Sequence, residues 1–100
     1  MLDSDSGSRP RERRVDVATR LLRQALDDGW LPPEELARAL HVSEDQLARF
    51  RTREAPMGCE VRYALAEALR DVAPPTYRVY VRSVRAQAVA DRAIDDARRR

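Results

Sequence analysis

The stretch LARALHVSEDQLARFR, residues 36–51, decides how this chain folds. Leu36, Ala37 and Leu40 fall on one side of a helix, and Leu47 and Phe50 resume that spacing after an interruption. The interruption is His41-Val42, followed by Ser43, a residue type that caps helix N-termini well. Gln46 three residues later completes a capping-box pattern, worth on the order of 1 kcal/mol. The spacing therefore predicts two helices of about two turns each. A tight turn joins them, and Arg49 and Arg51 lie outside the second. Upstream, Pro32-Pro33 suits a first helical turn, and Glu34-Glu35 complement the positive end of the helix dipole.

Helical periodicity continues on both sides. Residues 1–10 (MLDSDSGSRP) are polar and broken by Ser, Gly and Pro, which predicts a disordered tail. From Arg11 onward, Val15, Ala18, Leu21, Leu22, Ala25 and Leu26 recur at helical spacing, and Gly29 is placed to end that helix. Trp30 follows, with a ring large enough to plug one end of the core. After a loop over residues 52–57, the apolar residues Val61, Ala64, Leu65, Ala68, Leu69 and Val72 define a fourth helix, which Pro74-Pro75 stops.

Residues 77–97 form the last segment. Its start, Tyr77-Arg78-Val79-Tyr80-Val81, alternates like a strand, but no partner strand exists elsewhere, so helix is preferred. Val81, Val84 and Ala88 line one side of that helix, and Ala86, Ala90, Ala93 and Ala97 line another. Two apolar sides exceed what packing against a small core requires. One is expected to face the domain and the other a second copy of the chain, giving a homodimer. The expected fold is all-α: a small five-helix bundle with a tail over 1–10, a helical domain over 11–73 and a longer C-terminal helix within 74–100.

Composition bounds the chemistry. One hundred residues hold a single small core. With 43% hydrophobic residues but only 5% aromatics, that core must be built mainly from Leu, Val and Ala. All 19 basic residues are arginine, and the net charge is +2. Residues 1–50 hold eight arginines against ten acids, and residues 51–100 eleven against seven, so the positive field lies in the second half. One cysteine excludes an internal disulfide, and no stretch has the length of a membrane span or signal-peptide core, so a cytoplasmic protein is expected.

No nucleophile–base pair or glycine-rich phosphate loop is visible, and neither an enzyme nor a cofactor is expected. His41 is the single histidine, and with Cys59 it cannot complete a metal site. Cys59 falls near the start of the fourth helix, where a small half-buried residue is the simplest reading. Tyr77 and Tyr80 read as core or interface rings, and residues 98–100 as a solvated helix end.

Taken from Pro33, PEELARALHVSEDQLARFRT resembles the helix-turn-helix of the lambda-repressor/Cro-like DNA-binding family. Ala37 stands where that family has a small residue in its first helix, and Val42 where it has a small apolar one after the turn. Leu47 and Phe50 match its buried recognition-helix positions. RTREAPM resembles the loop that follows, residues 61–69 its next core helix, and the likeness spans residues 12–73. It implies a bacterial or phage transcriptional regulator that binds double-stranded DNA.

On that likeness, Ser43, Glu44, Asp45 and Gln46 enter the major groove, with Arg49 one turn further on. Gln46 is suited to adenine and Arg49 to guanine, each through two hydrogen bonds. Arg51, Thr52 and Arg53 hold phosphates. Paired recognition helices of a dimer would meet DNA about 34 Å apart.

Two departures stand out, and one pair of residues argues against DNA contact. His41 occupies a turn position that usually holds glycine because the backbone goes left-handed, a strain of about 1 kcal/mol. Arg53 stands where glycine is common in the following loop. Glu44 and Asp45 complement the helix dipole but repel phosphate. The competing expectation is a protein-interaction module of the same shape, including a toxin-neutralising antitoxin. A contiguous arginine face from Arg49, Arg51, Arg53 and Arg62 would favour DNA; arginines paired with acids would favour the module.

Overall fold

In the computed structural model, which describes residues 17–99, the chain passes through five α-helices and one 3-10 turn. The expected tail, Val15 and Arg100 lie outside the described residues. The helices are α1 (Val17–Asp27), α2 (Pro33–Leu40), α3 (Glu44–Arg51), α4 (Cys59–Leu69) and α5 (Arg78–Arg99), with the 3-10 turn at Pro75–Tyr77. Among the described residues there is no strand, so the chain is a small all-α bundle. The strand-like alternation at residues 77–81 is absorbed by the 3-10 turn and the first turn of α5. Pro74 and Pro75 favour this outcome, because fixed proline φ angles suit the start of a helical segment.

Every helix contributes to one core. Leu22 of α1, Leu36 of α2, and Leu65 and Leu69 of α4 are its largest fully buried side chains. Leu47 and Phe50 of α3 and Val81 and Val84 of α5 close around them. Trp30 is half-buried at the edge of this cluster, its ring centroid 5.1 Å from that of Tyr77. Tyr77 is thus a core-edge ring, whereas Tyr80 packs on it at 6.3 Å and remains exposed.

One expected core residue is wrong. Val72 lies beyond the end of α4 and is 40% exposed, and Ala73 takes the buried position instead. The last turn tightens here: the Arg70 N–H donates to Glu67 O, three residues back, and the Ala73 N–H to Leu69 O, four back. That change of period rotates Val72 outward. The buried stripe of α4 also includes Ala66, because α4 is packed by both α2 and α5 and its covered side is centred between them.

Two polar clamps fix α5 on α4. On one flank of the buried valines, Arg85 Nε donates to Glu67 Oε2 at 2.7 Å, and another nitrogen of the same side chain donates to Tyr63 Oη at 3.3 Å. The Arg85 guanidinium also stands 5.2 Å from the Tyr63 ring centre, within cation–π range. On the other flank, Arg62 pairs with Asp91 at 2.7 Å. The Arg62 hydrogen bond holds the Asp91 carboxyl below the usual carboxylate range, against the opposing effect of desolvation.

Candidate nucleic-acid interface

The turn between α2 and α3 is a left-handed helix ending. His41 has φ 60° and ψ 40°. Its N–H donates to Arg38 O at 3.1 Å, and the Val42 N–H reaches back to Ala37 O at 3.0 Å. These paired bonds are the Schellman pattern, in which a left-handed residue lets the final carbonyls of a helix find donors. The chain repeats the device after α3, where Arg53 has φ 68°. There the Arg53 N–H donates to Phe50 O at 3.2 Å and the Glu54 N–H to Arg49 O at 2.8 Å. After α1 the left-handed residue is Gly29, at φ 69°, and the Trp30 N–H closes onto Ala25 O at 2.9 Å. Among the described residues, the two non-glycine residues with positive φ therefore flank α3, one at each end.

Ser43 then starts α3. Its extended backbone turns the chain into the helix, and its Oγ accepts from the Gln46 N–H at 3.0 Å. The Gln46 side chain does not return a bond to Ser43, so only half of the expected capping box forms. Leu47 and Phe50 face inward and are buried. Ser43, Glu44, Asp45, Ala48, Arg49, Arg51, Thr52 and Arg53 are exposed, and Gln46 is half-exposed. The eight expected contact residues thus lie on the solvent side of α3 and the turn that follows it.

Their charges are not free. Arg49 lies 3.6 Å from Asp45, one turn back on the same helix. Arg51 is held by Asp27 at the end of α1, and Arg23 Nε donates to Arg51 O at 2.8 Å. Thr52 turns its hydroxyl back to Arg49 O at 3.3 Å. Arg53 borders a cleft of about 500 Å³ with Thr19, Met57, Arg62 and Gln87, towards α1 and α5. Of the four arginines expected on one face, Arg49, Arg51 and Arg62 each meet an acid. Residues 34–54 carry five acids and four arginines, so this part of the surface has no positive excess.

Asp27 and Arg23 were invisible to the sequence reading of this site. They lie 24 and 28 residues from Arg51, and no local pattern marks so distant a pairing. Among the described residues no group of three or more His, Cys, Asp or Glu side chains is arranged to hold a metal ion. No helix among them is long and apolar enough to cross a membrane. Cys59 occupies the first position of α4 and is half-buried. Compared with protein-family models, curated proteins and solved structures, the chain matches none.

Proposed function

We propose that the chain binds double-stranded DNA through α3 and the turn after it, as a cytoplasmic transcriptional regulator of the lambda-repressor/Cro-like kind does. The observation that carries this reading is the backbone around α3. Left-handed turns at His41 and Arg53 bracket a serine-capped helix whose outer side, from Ser43 to Arg49, is left to solvent. Those two positions are where helix-turn-helix proteins of this kind commonly carry glycine.

In this mechanism α3 enters the major groove, Gln46 and Arg49 meet base edges, and Arg51, Thr52 and Arg53 meet phosphates. The existing ion pairs do not prevent the exchange. Arg49–Asp45 is an exposed pair one turn apart, worth roughly 0.3–0.5 kcal/mol, whereas a charge-assisted bond to phosphate is stronger. Glu44 and Asp45 act as a filter: they weaken grip on any duplex and penalise sites that offer them no cytosine amino group.

A titration of duplex DNA at several salt concentrations tests this. Log affinity should fall with log salt by about 0.9 per phosphate contacted. Arg49→Ala should narrow the gap between preferred and random sequence by about 1–3 kcal/mol, while Arg53→Ala lowers affinity evenly. Joint replacement Glu44→Gln and Asp45→Asn should tighten binding to random duplex.

No binding to random duplex even at low salt would move the assignment to the second reading, a protein-interaction module such as an antitoxin. That reading is favoured by the pairing of Arg49, Arg51 and Arg62 with acids.

A further inference from the structure

The side of α5 opposite the core is apolar, and no other described residue covers it. Val81, Val84 and Ala88 are buried, and the clamps made by Arg85 and Asp91 stand on either flank of them. Diametrically across the helix run Val79, Ser83, Ala86, Ala90, Ala93 and Ala97, all exposed. Their spacing alternates four and three residues throughout, the seam of a coiled coil. The large exposed apolar side chains of α5 sit on or beside this seam: Val79 at 54%, Tyr80 at 49%, Val89 at 49% and Ile94 at 51% exposure. A seam of alanines lets two helices approach at the short end of the usual 8–10 Å range.

We infer that α5 pairs with α5 of a second copy of this chain, antiparallel, about a two-fold axis passing beside Ala86 and Ala90. The flanking residues identify both the occupant and the register. When Ala86 faces Ala90 of the second copy, Ser83 faces Ala93 and Val79 faces Ala97. On one flank this alignment sets Arg82 against Asp96 at both ends, with Val89 meeting its own copy between them. On the other it sets Tyr80 against Ile94 at both ends, with Gln87 meeting its own copy.

Charge therefore meets opposite charge, apolar meets apolar, and the neutral polar Gln87 meets its own copy. Sliding one helix by a heptad in either direction sets Arg82 or Asp96 against Val89. A parallel arrangement sets Arg82 against Gln87 and leaves Asp96 without an arginine. Among the described residues neither Arg82 nor Asp96 takes part in an ion pair, so both are available on this surface. The interface is isologous, as a two-fold dimer requires. It uses no residue of α3, so it stands or falls separately from the DNA reading.

Sedimentation equilibrium of the full chain tests the pairing. The expected result is a reversible species of twice the 11.4 kDa chain mass. Ala90→Glu, at an exposed site and so harmless to the monomer, should raise the dissociation constant by about a hundredfold. Arg82→Glu and Asp96→Arg should each weaken the dimer by roughly tenfold, and the double variant should restore it. Circular dichroism of each variant should match the wild type. A chain that stays monomeric up to its solubility limit would overturn the inference, as it would if another segment or another protein covered this face. A dimer that Ala90→Glu leaves intact would also overturn it. If the double charge swap fails to rescue, the antiparallel register is wrong.

Discussion

At the scale of single residues, the cost of this structure is concentrated at His41 and Arg53. A side chain in the left-handed region costs roughly 1–2 kcal/mol, less for histidine than for most types. Glycine removes that strain but adds freedom to the unfolded chain worth about 0.4–1 kcal/mol, so the two effects partly cancel. His41→Gly should therefore raise unfolding free energy by about 0.5 kcal/mol, read from the urea midpoint at fixed protein concentration. His41→Val should lower it by about 1 kcal/mol or more, because a β-branched residue fits that conformation worst. Equal stability of the two variants would contradict a left-handed residue 41. This turn was legible in the sequence only because a Ser43 cap closely follows an apolar row, which fixes where one helix must stop and the next begin. The partner of Arg51 was not legible, since a side-chain pair across 24 residues leaves no periodic trace.

Among the elements, α5 is the one that carries an apolar row on each of two opposite sides, one buried and one exposed. The alternation of residues 77–81 competes with helix at the level of propensity, and tertiary packing decides it. Val81 and Val84 are three apart, so both reach α4 only from a helix. By the same logic Val72 misled, since its spacing from Leu65 and Leu69 is helical but the helix ends before it. The clamp between Arg62 and Asp91 gives α5 a pH signature. The folded-state carboxyl of Asp91 titrates below its unfolded value near 4, so it adds stability at neutral pH. That contribution is fully present above the unfolded value and is lost as pH falls through the folded one. Asp91→Asn should lower the thermal midpoint at pH 7, and the gap to the wild type should close below about pH 4. A gap that persists unchanged into acid would mean the ion pair does not form. Arg62 sharpens the expectation, because its buried Nε has no partner among the described residues and the side chain depends on Asp91.

For the whole molecule, the question is whether α5 is an appendage to a four-helix domain or part of its core. Composition and period give the number of helices and the order of their apolar rows, because those depend only on local spacing. They are silent on which rows share one interior. Leu65 and Leu69 are fully buried, and one side of their cover is α5 through Val81 and Val84. Burying a valine is worth roughly 1.5–3 kcal/mol, and stripping α5 would also expose the leucines beneath. That loss is comparable with the total stability of a small domain, about 5–15 kcal/mol. A chain ending at Ala73 should therefore lose its cooperative thermal transition and its amide dispersion in proton NMR, although the whole resemblance to DNA-binding proteins lies within it. Two point substitutions separate this from a dimer effect: Val84→Asp should unfold the chain, while Val89→Asp, on the exposed side, should leave the monomer folded. A well-dispersed spectrum from the shortened chain would make α5 an independent arm. Loss of folding would make it the wall that holds α3 in place, so that whatever α3 binds depends on a helix it does not contain.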